Sequence, residues 1–313
     1  MTLAVDSPAL VRPDDPPALK VVPARHPWRW LAGLAALVVV AQFVHGLATN
    51  PGWEWDTFGR YLTTDTILRS VGVTLQLTAY GTVLGFALGI GLAFMRLSGS
   101  LVLQTISWTY VWVFRSIPLI VQLVFWFNIS YLYKYLGVGI PFGPELWSFK
   151  TVNVLSAEGA AVLGLALYQS AYAAEVVRAG VISIDAGQFE AAAALGIPRL
   201  RQLRRIVLPQ AMRGILPNAA NQVIALLKST SVVYVMAMGE LFYQVQVIYG
   251  RNGRVVPLLM VATVWYVVLT TVLSVAQYYV ERYYARGALR TPPPTPLQRA
   301  RALAADFARK VRS

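Results

Sequence analysis

Long apolar runs without charged side chains organise this chain. Residues 71–95 form one run of 25 residues, and residues 255–280 form another of 26. At about 1.5 Å of rise per residue, each run is long enough as a helix to cross a hydrocarbon core of roughly 30 Å. A third run, residues 30–48, is interrupted only by His45. The pattern predicts three membrane-spanning helices.

Three further apolar runs carry polar side chains in their interiors. They are residues 108–133, 159–177 and 215–238. Ten-residue segments of alternating hydrophobicity do not recur, which argues against an outer-membrane barrel. We therefore expect an all-α polytopic transmembrane bundle of about six spans. Within it, Pro118 and Pro217 predict kinks, and the spacing of Gly81, Gly85 and Gly89 predicts a small-residue face for close helix packing.

The first run has a second interpretation. Arg25 and Arg29 precede it, as basic residues precede the apolar region of a secretory signal peptide. The run is long for a signal peptide, however, and no clear A-x-A cleavage site follows. We expect a retained, accessory first helix over residues 28–50, after a disordered Pro-rich segment over residues 1–27.

The basic residues favour one orientation of the six spans. With the N-terminus inside, the inner segments carry nineteen Lys and Arg and the outer segments carry six. The positive-inside rule then places both termini in the cytoplasm. The formal net charge of +13 reflects this orientation and contact with anionic lipid, so we expect no nucleic-acid partner.

Composition limits the chemistry that the chain can perform. Hydrophobic residues make up 57% and charged residues 13%, with no cysteine and two histidines. Thiolate metal sites and cysteine nucleophiles are excluded, and two histidines are too few for a histidine-based metal cluster. We expect no catalytic residue and no metal site in this chain.

The longest inner loop, residues 179–214, has the pattern of a helix, a tight turn and a second helix. Residues 190–195 are strong helix formers, and Gly196 and Pro198 are placed to end the helix. Small alanines beside a glycine let another protein approach the backbone closely, and Glu190 offers a charge to fix the register. On these residues alone, an Ala-rich helix that ends in a Gly-Pro turn for ordinary packing, with no partner protein, is an open alternative.

The same loop resembles the EAA signature of the permease subunits of bacterial ABC importers. Glu190, Ala191 and Ala192 are followed after three residues by Gly196, and nine further residues lead to the string IVLP at 206–209. Other strings resemble the polar amino-acid importer subgroup: RSIPLIVQ at 115–122, AYAAE at 171–175, GQ at 187–188, and LK with TS at 227–228 and 230–231. Two departures are Ser116-Ile117, where the subgroup has Gly-Thr, and Ser229, where an acid or Asn is common.

The resemblance implies a type I ABC importer permease over residues 66–286, in the bacterial cytoplasmic (inner) membrane. It implies that the loop at 179–214 docks on a cytoplasmic ABC ATPase dimer through Gly187, Glu190, Ala191, Ala192, Gly196 and Pro198. No G-x-x-x-x-G-K-[ST] motif occurs here, so ATP and Mg would bind to the partner ATPase. The other implied partners are a second permease subunit, identical or homologous, an extracytoplasmic solute-binding protein, and a polar amino acid.

The resemblance and the cost of charge in lipid also suggest which side chains line the substrate path. These are Arg115, Gln122, Glu175, Asn221, Lys228, Ser229, Thr230 and Ser231. Structural pairing or hydrogen bonding between helices is the alternative role for each of them. No Asp or Glu occurs between residues 214 and 239, so the cation at Lys228 favours a neutral or acidic amino acid as substrate.

Two other classes of protein deserve comparison. An ion-coupled secondary transporter predicts inverted repeats with broken helices in both halves, which we do not find. A non-transporting membrane scaffold or sensor predicts a folded domain in an outer loop. The outer loops, residues 49–68, 134–157 and 239–254, are instead sized to meet a separate binding protein.

The remaining residues, 287–313, read as a basic Pro-rich tail.

Overall fold

The computed structural model describes residues 27–139 and 145–284, with a few positions between 298 and 305. The two predicted tails therefore lie almost wholly outside the described residues. The chain divides into two units, Met1–Trp53 and Glu54–Ser313. In the first unit, helix α1 (Pro27–Thr49) is followed by a 3-10 turn at Pro51–Trp53. The indole nitrogen of Trp53 donates a hydrogen bond to the carbonyl of Gly46 at 3.2 Å.

The described residues contain five helical segments that are long and apolar enough to cross a membrane, or six if one bent pair of helices counts as a span. This confirms the prediction of about six spans. The segments lie at Leu31–Thr49, Asp65–Leu97, Ala157–Ile182, Arg199–Met236 and Val255–Tyr284, and the bent pair is Leu101–Ser116 with Leu119–Phe127. In the second unit, we name Trp55–Leu62 α2, Asp65–Leu97 α3, Leu101–Ser116 α4, and Leu119–Phe127 α5.

The prediction that residues 108–133 form one kinked helix is wrong. Helices α4 and α5 meet at an angle of 101°. A proline ring disfavours helical backbone in the residue before it, and Ile117 accordingly adopts an extended conformation, with φ −92° and ψ 128°. Pro118 thus breaks the helix rather than kinking it. A short helix α6 (Ile129–Leu132) follows.

A hairpin, one short helix and one long helix lie between α6 and the inner loop. Strand β1 (Tyr135–Gly139) pairs antiparallel with β2 (Glu145–Lys150), then α7 (Thr151–Val154) leads into α8 (Ala157–Ile182). The hydroxyl of Ser156 caps α8 by accepting a hydrogen bond from the amide of Gly159 at 3.1 Å. Such capping satisfies one of the amides that a helix start leaves without an intrahelical partner.

The predicted small-residue face of α3 is confirmed by its packing on α8. A Cβ at Gly85 would lie 2.6 Å from the Cβ of Gln169, and one at Gly89 would lie 2.6 Å from the Cβ of Ala173. A Cβ at Gly81 would lie 3.2 Å from the Cβ of Leu165. Since a real Cβ needs more room, only glycine permits this approach of the two backbones.

The remaining helices complete the bundle. Helix α9 (Ala186–Ala194) is followed by α10 (Arg199–Gln202), a π-helical turn at Leu203–Val207, α11 (Leu208–Ser229) and a 3-10 helix at Thr230–Met236. The second half of the predicted inner loop is therefore continuous with the helix that crosses, and α11 runs on through Pro217. Helix α12 (Leu241–Asn252) precedes α13 (Val255–Tyr284). Their core joins α3 through Ile67, Leu241, Val245, Leu258 and Val261.

Candidate functional site

The inner loop forms a capped helix and a glycine turn, as the sequence predicts. The carboxylate of Asp185 accepts a hydrogen bond from the amide of Gly187 at 2.7 Å, which caps α9. At the other end Gly196 has φ +63°, and the amides of Gly196 and Ile197 donate to the carbonyls of Ala193 and Ala192. These two bonds form a Schellman motif, for which glycine is the favoured residue at the left-handed position.

The predicted coupling residues lie together on this helix and turn. Ala192 is buried against the rest of the chain, whereas Glu190, Ala191 and Pro198 are exposed. Beside the turn, Leu195 is 76% exposed. Leu195 therefore adds an exposed apolar side chain beside the predicted coupling residues.

An open-sided cavity lies between the end of α11 and α13. Its volume is about 540 Å³. Two of the residues predicted to line the path, Lys228 and Ser231, border it. The remaining lining residues come from α12 and α13, and they are Phe242, Leu259, Ala262, Thr263, Tyr266, Val267 and Thr270. Lys228 is therefore the one charged side chain among the described residues that line this cavity.

Sequence reasoning missed the contribution of α13 to this cavity. Thr263, Tyr266 and Thr270 recur at intervals of three and four residues, so they share one face of the helix. The side chain of Thr270 bonds within its own helix, to the carbonyl of Tyr266 at 2.7 Å. That polar stripe within an otherwise apolar run was the available signal. It gives the cavity hydroxyl groups opposite the ammonium of Lys228.

The other predicted residues near Lys228 have partners elsewhere. The hydroxyl of Thr230 is buried and donates to the carbonyl of Leu227 at 2.7 Å. The amide oxygen of Asn221 accepts a hydrogen bond from Gln277 of α13 at 3.1 Å. Ser229 ends α11 and does not border the cavity described above. The hydroxyl of Ser231 also donates to a backbone carbonyl, that of Lys228 at 2.7 Å, but Lys228 and Ser231 are the predicted residues that border the cavity.

A second cavity, of about 440 Å³, brings Arg115 and Glu175 together. The guanidinium of Arg178 donates to both carboxylate oxygens of Glu175, at 2.7 and 3.1 Å to one and 3.3 Å to the other. The guanidinium carbon of Arg115 lies 5.2 Å from the centre of the Tyr172 ring, within cation–π range. Arg96 also borders the cavity, so three arginines face one carboxylate.

Gln122 lies at the break between α4 and α5. Its amide nitrogen donates to the carbonyls of Phe114 and Ile117, both at 2.8 Å. These two carbonyls lose helical partners because Pro118 interrupts the helix. The side chain is buried, and it borders neither of the two cavities described above.

Glu240 is a buried carboxyl that the sequence did not single out. It caps α12 by accepting hydrogen bonds from the amides of Phe242 at 2.9 Å and Tyr243 at 2.6 Å. The hydroxyl of Tyr266 donates to it at 3.2 Å. Burial raises the pKa of Glu240 to about 7, although these hydrogen bonds act in the opposite direction. The residue links α12 to the α13 face that lines the first cavity.

Comparison with known proteins identifies the family to which this chain belongs. Residues 82–286 match the family described as binding-protein-dependent transport system inner membrane component. The arginine transport system permease protein ArgU of Corynebacterium glutamicum is 38% identical over 283 residues, which cover 88% of this chain and 86% of the relative. The glutamate/aspartate import permease protein GltK of Escherichia coli is 33% identical and covers 69% of this chain and 92% of its own length.

Solved structures give the same picture. The chain resembles a subunit in the crystal structure of an amino acid ABC transporter with histidines, with a TM-score of 0.59 and 30% identity over 70% of this chain and 94% of that one. The methionine ABC transporter MetNI, in an inward-facing conformation, gives a TM-score of 0.57 at 21% identity. At that identity the likeness concerns the fold alone.

Proposed function

Because the chain belongs to the family of binding-protein-dependent transport system inner membrane components, we propose how its loops and cavities divide the work of transport. The chain is a membrane-spanning permease subunit of an ATP-driven amino-acid importer. In this family the ATPase is a separate subunit, and this membership replaces the secondary-transporter and scaffold alternatives. ATP and Mg bind, in this proposal, to the partner ATPase dimer. The second permease subunit is a copy or a homologue of this chain.

The helix and turn around Gly196 dock on the ATPase. One observation carries this proposal: Leu195 and the outward face of α9, with Glu190 and Ala191, are exposed beside the glycine turn at Gly196. Movement of the ATPase is transmitted through this contact to α8 and α11. The docking side is the cytoplasm, so the hairpin at the opposite end of α8 lies outside. Both chain termini are cytoplasmic in this arrangement.

Substitution of Ala191 by tryptophan tests the docking surface. Gly196 is a poor target, since its φ of +63° makes any side chain strain the turn itself. Ala191 is exposed on a regular helix, so the larger side chain blocks approach without disturbing the fold. Coupling free energies are typically about 1–3 kcal/mol, so uptake is expected to fall by about 5- to 150-fold. Thermal stability and membrane insertion are expected to stay unchanged.

The matched control is Ala157→Trp, an exposed alanine at the opposite end of α8. This variant is expected to keep uptake coupled to ATP hydrolysis, measured in vesicles with the complete transporter. Normal uptake in Ala191→Trp would remove the docking assignment. Proteins that copurify with the tagged chain identify the ATPase, the second permease and the binding protein.

The substrate path in this proposal passes the cavity between α11 and α13. Lys228 supplies a cation there. The hydroxyls of Ser231, Thr263 and Tyr266 donate to other groups of the chain, so their oxygens serve as hydrogen-bond acceptors in the cavity. Like charges a few Å apart cost several kcal/mol at an effective dielectric near 20, so this balance favours a neutral or acidic amino acid. The second cavity, with three arginines and one glutamate, has the same net sign.

Arginine is the second candidate, favoured by the relative named for arginine transport, which is 38% identical over 88% of this chain. Another relative is named for glutamate and aspartate import, so similarity to these relatives alone does not identify the substrate. Competition among labelled glutamate, glutamine and arginine, in vesicles carrying the full complex, separates the candidates. Preference for arginine would overturn the argument from Lys228. A separate test replaces Lys228 with Gln. If Lys228 lines the path, loss of its positive charge is expected to raise arginine uptake.

A further inference from the structure

The hairpin outside the bundle presents an apolar face that nothing in the described chain covers. The antiparallel register places Leu136 opposite Phe149 and Val138 opposite Trp147. Since side chains alternate between the faces of a strand, Leu136, Trp147 and Phe149 lie on the same face. Trp147 is 65% exposed and Phe149 52% exposed. An isolated two-stranded hairpin is marginally stable in water, so a face of this kind requires a covering surface.

The opposite face of the hairpin is more polar. It contains the pairs Tyr135 with Lys150 and Gly137 with Ser148. The apolar residue Leu146 lies at the irregularity in the strand pairing and has no partner in the register. The hairpin is therefore amphipathic across its thickness. This difference gives each apolar position a neighbour on the other face that serves as a control.

The base of the hairpin is held firmly. Thr151 is fully buried. Its amide donates to the carbonyl of Lys134 at 3.0 Å, and its hydroxyl donates to the carbonyl of Tyr133. The apolar face therefore has a fixed position relative to the end of α8. The 26 residues of α8 separate this end from the inner loop by about 39 Å at 1.5 Å per residue, which is enough to cross a bilayer.

Residues around the base have the composition of a membrane interface. Tyr131, Tyr133 and Tyr135 are largely exposed, and Lys134 and Lys150 are exposed at the two strand ends. Aromatic residues are enriched at the headgroup level of membranes, and lysines there extend their ammonium groups toward the phosphates.

We propose that the apolar face formed by Leu136, Trp147 and Phe149 inserts into the outer leaflet of the bilayer, at the boundary between headgroups and acyl chains. The hairpin then acts as an interfacial anchor beside the permease. The naming of the leaflet rests on the proposed orientation, whereas the lipid contact does not. The partner is the phospholipid surface itself, with its phosphates near Lys134 and Lys150.

The absence of cysteine from this chain allows a direct test with single labels. Trp147→Cys and, as the control on the other face, Ser148→Cys are labelled with an environment-sensitive fluorophore. The complete transporter is reconstituted in vesicles of phosphatidylethanolamine and phosphatidylglycerol. Some of the lipids carry a nitroxide quencher near the start of the acyl chain, and iodide serves as the aqueous quencher. Leu136→Cys with Tyr135→Cys gives a second pair if the first pair folds poorly.

Lipid nitroxide is expected to quench the label at position 147 at least about twofold more than that at 148, because interfacial apolar faces sit about 5–10 Å into the headgroup boundary. Iodide is expected to show the reverse order. Equal access of iodide to both labels, or protection of position 147 from both quenchers, would overturn the proposal, the latter because a protein would then cover the face. Since the labels report lipid contact and not uptake, failure here leaves the transport assignment intact.

Discussion

Replacement of Glu240 by glutamine tests the charge state of a carboxyl that the fold encloses completely. Burial raises its pKa to about 7, whereas an exposed Glu titrates near 4.3. The folded state therefore binds a proton more tightly than the unfolded chain. Each tenfold change in an acid dissociation constant is worth about 1.4 kcal/mol, so the whole difference amounts to about 4 kcal/mol.

The sign follows from which state holds the proton. The carboxyl's contribution to stability is fully present below about pH 4.3, where both states are protonated. It falls as pH rises toward 7, because the unfolded chain ionises first, and it is constant above that pH. The groups around Glu240 include the amides of Phe242 and Tyr243 and the hydroxyl of Tyr266.

The assay is thermal unfolding of the purified chain in detergent, at several values between about pH 5 and 8. One kcal/mol moves Tm by roughly 2–4 °C in a chain of this size, so the wild type is expected to lose several degrees that Glu240→Gln does not lose. Glutamine keeps an acceptor for the α12 cap but cannot ionise. Glu158→Gln, an exposed glutamate in the first turn of α8, is the control. Equal pH slopes for wild type and Glu240→Gln would refute the reasoning.

Three further substitutions are expected to change Tm in the same assay. Gly89→Ala places a Cβ 2.6 Å from that of Ala173 and is expected to cost about 1–3 kcal/mol; Gly91→Ala, with open space around it, is expected to be neutral or slightly stabilising, and equal losses would contradict the packing argument. Gln122→Leu removes two hydrogen bonds from the bend between α4 and α5 and is expected to cost about 2 kcal/mol; an unchanged Tm would mean that water replaces the amide. Ser156→Ala removes the cap of α8, for an expected loss of about 1 kcal/mol that a normal Tm would disprove.

Local rules were sufficient where one segment decides its own structure. The spacing of Gly81, Gly85 and Gly89 predicted close packing because residues four apart share a helix face. Gly196 predicted the end of α9 because glycine reaches the left-handed conformation at little cost. In both cases the physical constraint acts within a few residues, so the sequence carries it in full.

Tertiary contacts decided the features that the sequence did not predict. Pro118 marks a disruption, but the angle of 101° depends on where α5 packs, with Leu123 seated against Gly164 of α8. The burial of Glu240 depends on Tyr266, which lies 26 residues away along the chain. The polar neighbours of Lys228 likewise come from α13. Such contacts join distant segments and leave little trace in either segment alone.

The glycine contacts between α3 and α8 have a mechanical consequence. Each glycine receives one particular side chain, at Leu165, Gln169 and Ala173, so sliding either helix along the other would drive a side chain into backbone. We therefore expect the two helices to move together as one unit. The loop at 179–214 is attached at one end of these two helices, and Thr151 fixes the hairpin near the other end. Because the glycine contacts oppose sliding, we expect a displacement of the loop to move α3 and α8 together, including the end that carries the hairpin.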